Sequence, residues 1–136
     1  MRLWWFVRRP HTSGVKCVVR DGERVLFVRH TYGNRHAWEL PGGILGRDEA
    51  PDSAVRREMR EELGVELADL RELGRVEVSG DHKHTLLICF EAGPASAPLR
   101  FARAEIAEAR WARPDAPPRP LGEDAATLLR LAGARP

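Results

Sequence analysis

The sequence predicts an α/β layered sandwich built on a mixed β-sheet. Three observations predict it: apolar runs of strand character on both sides of one amphipathic helical stretch, a hairpin signal near the start, and a second helical stretch at the end. At 136 residues the chain fits one domain, 1–136. A chain of this size buries about two-thirds of the surface that unfolding would expose.

The elements follow in order. Gly14 to Arg20 and Arg24 to His30 read as strands joined by Asp21-Gly22, a dipeptide that suits a tight hairpin turn. Thr31 to Ala37 reads as a loop. Trp38-Glu39-Leu40 reads as a short extended segment, because Pro41 biases the residue before it away from helix. Pro51 to Leu63 has helical periodicity, with Pro51 suited to a first turn and Gly64 to the C-terminal cap. Arg75 to Ser79 and His84 to Glu91 read as further strands, and Ala92 to Leu99 as a loop carrying Pro94 and Pro98. Glu108 to Ala112 is a short strand. A connection rich in proline (Pro114, Pro117, Pro118, Pro120) then leads to a final helix from Leu121 to Leu131. No repeat and no domain boundary interrupts the series.

Composition narrows the function classes. With 43% hydrophobic and 31% charged residues, the chain has no disordered or fibrous bias. The apolar stretch Met1 to Val7 is too short for a signal-peptide core and runs into Arg8-Arg9-Pro10. No apolar run approaches the ~20 residues that span a bilayer, so a cytoplasmic protein without a membrane partner is expected. Cys17 and Cys89 sit within apolar runs and lack Cys-x-x-Cys spacing, which reads as buried free thiols.

Charge is distributed unevenly. Residues 1–47 carry nine Lys/Arg against three Asp/Glu, whereas residues 48–72 carry four against nine. One acidic block within a basic chain suits a divalent cation meeting a polyanionic small molecule. Duplex nucleic acid would call for a broad basic face instead.

The acidic block lies on the first helix. On a helical wheel Val55, Met59 and Leu63 form the apolar stripe, Arg56, Arg57 and Arg60 fill the next arc, and Glu58, Glu61 and Glu62 the third. Like charges spaced i, i+3 and i+4 repel, and the cost rises where the arc meets the buried stripe. A hard cation with oxygen ligands relieves that repulsion. Taken alone, Glu-x-x-Glu-Glu is more often a solvated face.

The surrounding residues change the reading. Gly43, Glu49, Arg57, Glu58, Met59, Glu61, Glu62, Gly64 and Val65 occupy every specified position of the Nudix box, and the preceding Trp38-Glu39-Leu40-Pro41-Gly42 also resembles many members. The chain therefore resembles the Nudix hydrolases, with Asp48 standing where a glycine is usual. The resemblance implies a Nudix-like α/β/α sandwich with a mixed sheet, and hydrolysis of a pyrophosphate bond in a nucleoside diphosphate linked to another moiety. It implies Mg2+ or Mn2+ held by Glu58, Glu61 and Glu62 with a backbone carbonyl at Gly42 or Gly43. Arg57 would orient the glutamates and Glu49 would pair with Arg57.

Family members often use a further acid outside the box. In the mutator-type triphosphatases it lies six residues before a tryptophan, which here places it at Glu105, with Glu108 and Glu91 as rivals and Glu61 as the alternative base. Arg29, at the end of a strand, and Leu40 are candidate substrate contacts. His30, His36, His82 and His84 read as surface histidines. The tags of several subfamilies are missing: no proline occurs between Val65 and Pro94, and the only tyrosine is Tyr32. By elimination a nucleoside triphosphate or a sugar nucleotide leads. An inactive nucleotide-binding regulator and an RNA 5′-end pyrophosphohydrolase are the alternatives, and a homodimer is the expected assembly if there is one.

Overall fold

The structure is a computed structural model and describes residues 11–31, 36–80, 83–95 and 106–133. Trp4, Trp5, Tyr32, His82 and Glu105 lie outside the described residues. In chain order the elements are β1 (His11–Asp21), β2 (Arg24–His30), β3 (Trp38–Glu39), β4 (Gly42–Ile44), α1 (Pro51–Leu63), β5 (Leu67–Gly80), β6 (Lys83–Pro94), β7 (Ile106–Ala112) and α2 (Glu123–Leu131).

The strands form one mixed sheet with the order β3-β2-β1-β6-β5, in which β4 pairs with β1 and β7 with β2. β1 is its centre. One edge runs parallel to β6 from His11↔His84 to Val19↔Ala92, and the other meets β4 at residues 14–16 and β2 at Arg20 and Asp21. The β1–β2 turn is the one expected, with Gly22 at φ 62, a conformation that costs a glycine little.

Alternation along the strands divides the apolar side chains between the two faces of the sheet. Val15, Cys17, Val19, Leu26, Val28, Ile88 and Phe90 pack with Ala54, Val55, Met59 and Leu63 of α1. Val18, Val25, Phe27, Trp38, Leu40, Leu87 and Cys89 pack with Ala125, Leu128 and Leu129 of α2. The layers are therefore α/β/α, as the sequence implied. The two cysteines are buried free thiols on opposite faces.

Differences from the expected elements have local causes. β5 begins at Leu67 rather than Arg75, because register shifts between Ala68 and Arg71 and between Glu72 and Gly74 erase the period-2 pattern. Asp69, inside the first shift, has a φ of 55. β6 runs on through Ala92 to Pro94, residues expected in a loop, where it pairs with the start of β5. β4 was not expected at all, since two glycines carry no strand preference of their own. α2 starts at Glu123, two residues late, because Leu121 bridges Trp38 as a short parallel extension of β3.

Candidate metal centre

α1 forms where expected and for the expected reasons. Pro51 opens it, Asp52 stands in its first turn, and Gly64 ends it at φ 65 with its N–H bonded to the Arg60 carbonyl at 3.1 Å. Packing Ala54, Val55, Met59 and Leu63 onto the sheet fixes the rotation of the helix. That rotation carries Glu58 and Glu62, one turn apart, into the interior, with only 0% and 4% of their surface exposed. Glu61 lies farther round the helix, its side chain 50% exposed.

The turn before α1 closes over Glu58. A Cβ built on Gly43 would lie 2.7 Å from Glu58 Oε1 and closer still to its other carboxyl atoms. Only a residue without a side chain lets the backbone meet the carboxylate here. One oxygen of each buried glutamate, Glu58 Oε2 and Glu62 Oε2, is sealed from solvent and accepts no hydrogen bond. Burying a carboxylate oxygen in this way is costly unless something positive meets it.

The backbone of β4 is held by β1. Cys17 N–H donates to the Pro41 carbonyl at 3.0 Å, and Leu45 N–H to the Ser13 carbonyl at 2.9 Å. Antiparallel pairs alternate between bonded and non-bonded, so Gly43 faces Val15 in a bonded pair, whereas Gly42 faces Lys16 in a non-bonded one. The Gly42 carbonyl therefore turns away from β1, along the edge where the Ile44 carbonyl meets Arg57 Nη2 at 3.4 Å. Of the two glycine carbonyls named from the sequence, this leaves Gly42 as the one able to serve a ligand.

Arg57 ties the loop to the helix. Its Nε and Nη2 grip Glu49 at 2.7 and 3.0 Å, and its Nη1 lies 3.0 Å from both Glu58 Oε1 and Glu61 Oε1. The bond from Arg57 holds the Glu49 carboxyl below the usual range, and the same pairing pushes the Arg57 guanidinium up. Glu49 also accepts from the Gly46 N–H at 3.1 Å. Arg57 thus makes the expected pair with Glu49 and also an i,i+4 pair with Glu61. It also supplies a positive charge among the glutamates, which the wheel had placed on a separate arc.

Among the described residues, no three His, Cys, Asp or Glu side chains converge into a ready-made metal cage. Magnesium does not need one. It typically takes one or two carboxylates and completes its shell with water and substrate phosphate. Glu58, Glu62 and the Gly42 carbonyl fit such an ion, with Glu61 at the rim.

Other expected residues fall elsewhere. Arg29 stands one residue before the end of β2, 3.2 Å from Glu108, and its guanidinium lies 5.9 Å from the Trp38 ring centre; Arg110 stacks on the same ring at 4.8 Å. Glu108 bridges Arg29 and Arg110. Glu91 is engaged by Arg20 and Arg71, and Arg20 also reaches the Ala132 carbonyl at the end of α2. Leu40, expected to contact substrate, is instead a core residue with 1% of its surface exposed. His36 and His84 are exposed, as surface histidines should be.

Sequence reasoning missed Lys16. Its Nζ donates to the Leu40 carbonyl at 3.2 Å, directly beside the glycine turn. The available signal was a single cation inside the otherwise apolar run Val15 to Val19.

Comparison with known proteins shows what the chain is similar to. A MutT-like protein of Streptomyces ambofaciens is 34% identical over 105 residues, which cover 72% of this chain and 60% of that protein. The NAD-capped RNA hydrolase NudC of Mycobacterium tuberculosis is 32% identical over 99 residues, covering 71% of this chain and 31% of that protein. The chain thus spans less than two-thirds of the first relative's length and less than one-third of the second's. The solved structure of a MutT NUDIX hydrolase from Burkholderia pseudomallei superposes with a TM-score of 0.83 at 24% identity, over 90% of this chain and 98% of that one, a likeness of fold. The pattern of the NUDIX domain matches residues 10–132, and the chain belongs to that family.

Proposed function

We propose that residues 1–136 form one hydrolase domain that cleaves a pyrophosphate bond in a nucleoside diphosphate-linked substrate, with a nucleoside triphosphate or a sugar nucleotide as the leading candidates. The observation that carries this reading is the burial of two carboxylates, Glu58 and Glu62, one helical turn apart against a glycine turn. Such a pair is costly in a resting fold and useful where a divalent cation is to be held.

Glu58, Glu61, Glu62 and the Gly42 carbonyl would hold Mg2+ or Mn2+, which supplies charge neutralisation at the phosphoryl oxygens and a more acidic water. Arg57, braced by Glu49, orients Glu58 and Glu61. Arg29, with Glu108 and Arg110 beside it, stands ready to meet an anionic group. Glu105 is proposed as the base that takes the proton from the attacking water, with Glu61 in reserve. Glu91, committed to Arg20 and Arg71, is not part of this machinery.

A second reading is hydrolysis at the 5′ end of RNA. The NudC relative, described as an NAD-capped RNA hydrolase, and the basic residues 1–47 favour it.

One screen tests both. Nucleoside triphosphates, sugar nucleotides, NAD and 5′-triphosphorylated RNA are offered with Mg2+ or Mn2+, and release of phosphate, pyrophosphate or mononucleotide is followed. Turnover that a chelator abolishes and Mg2+ or Mn2+ restores is expected. Full turnover in excess chelator sinks the metal-centred reading. In the same screen Glu105→Gln should lower turnover by about 10²-fold, the lower end for loss of a general base, while Glu91→Gln stays near wild type.

A further inference from the structure

The short strand β4 that presents the Gly42 carbonyl begins with the residues least able to hold a shape by themselves. Gly42 and Gly43 have no side chains to restrict their backbone, and two adjacent glycines sample more conformations than any other dipeptide. A carbonyl that is to serve as a ligand must nevertheless point one way. Something outside the turn has to supply the restraint.

β1 supplies part of it through its backbone, at Cys17 and Ser13. In this register the Leu40 carbonyl and Gly42's own N–H and carbonyl turn away from β1. One side chain lies against both residues. Lys16 sits opposite Gly42 in the register. Its chain folds across that residue, so that a Cβ on Gly42 would lie 2.9 Å from both Lys16 Cα and Lys16 Cδ. Beyond Gly42 its ammonium reaches the Leu40 carbonyl at 3.2 Å. The lysine stem thus lies over the glycine, and its head bonds the residue two before it.

A strand lysine on this face of the sheet is unusual company. Its neighbours in the strands, Val18 and Cys89, belong to the core under α2. A partly buried cation is retained where a carbonyl or a counter-charge meets it. Here the counter-charge is Glu39, the residue before Leu40, whose half-buried carboxyl feels the Lys16 charge. Glu39 in turn sits against Gly122 at the start of α2.

We propose that Lys16 is a positioning residue that clamps Leu40 and Gly42 and so fixes the Gly42 carbonyl in its outward orientation toward the metal. The inference rests on the metal-holding role given to Gly42 above. Lys16 touches neither the metal nor the substrate; it acts through the backbone it holds.

The test is Mn2+ binding to the isolated protein, followed as free Mn2+ by electron paramagnetic resonance at a temperature where circular dichroism shows every variant folded. Lys16→Met keeps most of the stem and removes the charged donor. It should weaken Mn2+ binding by about tenfold, the lower end of what loss of a group orienting a metal ligand costs. Leu128→Ala, which thins the core under α2, serves as the control: it should lower the melting temperature and leave Mn2+ affinity within about twofold of wild type, since no ligand depends on it. A folded Lys16→Met with wild-type affinity overturns the proposal. Should Lys16→Met not fold, Lys16→Gln, with a neutral donor on a shorter arm, carries the same comparison and the same two outcomes. A wild-type protein that does not bind Mn2+ overturns the metal reading itself, and the Lys16 role with it.

Discussion

The Glu58 carboxylate fills the space where Gly43 would carry a side chain. A Cβ on Gly43 would stand 2.7 Å from Glu58 Oε1, well inside van der Waals contact. The glycine is therefore needed for the approach of backbone to carboxylate, in addition to any flexibility it gives the turn. Gly43→Ala should force Glu58 or the turn aside and weaken Mn2+ binding by at least about tenfold. Wild-type affinity in a folded Gly43→Ala protein would show that this close approach has no bearing on the metal.

Glu58 and Glu62 are carboxylates buried one helical turn apart, and like charges at that spacing repel. Glu62→Gln removes one charge at almost constant volume. The metal-free variant should melt at the same temperature as wild type or higher, while turnover with Mg2+ falls by at least ~10²-fold, roughly 3 kcal/mol of transition-state stabilisation. A variant that loses stability but keeps its specific activity would make Glu62 a structural residue.

The Glu49–Arg57 pair gives a pH signature. The Glu49 carboxyl is held below its usual range, first by the hydrogen bond from Arg57. A carboxylate with a lowered folded pKa stabilises the fold above the unfolded value of about 4.3 and loses that contribution as the pH falls through the folded value. Glu49→Gln should thus lower the melting temperature at pH 7, and the gap should close as both proteins are acidified below about pH 4. A gap of constant size from pH 7 to pH 3 removes the ionic basis of the pair.

Glu39 has the opposite sign. Burial, the larger influence, pushes its carboxyl up, while the Lys16 charge pulls it down and Asp124 adds to the rise. A raised carboxyl stabilises the fold fully below its unfolded pKa and loses that contribution as the pH rises through the folded value. Glu39→Gln, a mimic of the protonated form, should melt near wild type below about pH 4 and above it at pH 7. If Glu39→Gln melts below wild type at pH 7, the attraction to Lys16 outweighs burial.

Much of this could be read in the sequence because it depends on local signals. α1 runs from Pro51 to Leu63 as expected, since its proline start, glycine stop and apolar stripe all lie within the segment itself. The Asp21-Gly22 turn and the buried thiols are local in the same sense. The first half of β5 was not readable, because its register shifts break the alternation that marks a strand. β4 was not readable either, for its strand character comes from β1 rather than from Gly42 or Gly43. In the site, the box named Glu49, Arg57, Glu58 and Glu61, which the structure brings into contact, and Glu62, which lies buried one turn from Glu58. It could not show that Glu58 and Glu62 are sealed while Glu61 stands in solvent, because that depends on how the sheet rotates the helix. Leu40 was named for its side chain and Lys16 was not named at all: the leucine side chain turns into the core, and its carbonyl accepts the lysine's bond.

The bridge from Trp38 to Leu121 bears on the order of assembly. Trp38 N–H bonds the Pro120 carbonyl and Gly122 N–H bonds the Trp38 carbonyl, both at 2.8 Å, on the strand that leads into the glycine turn. β1, which holds that turn from its other edge, needs β6 as its parallel neighbour. On a ribosome, the segment from Trp38 to Gly43 would thus be synthesised early and completed last, waiting for a partner some eighty residues downstream. Contacts so far apart along the chain close slowly, because the intervening loop must be ordered first. A nascent chain halted before Leu121 would hold every glutamate of the box and still lack the segment that bonds Trp38.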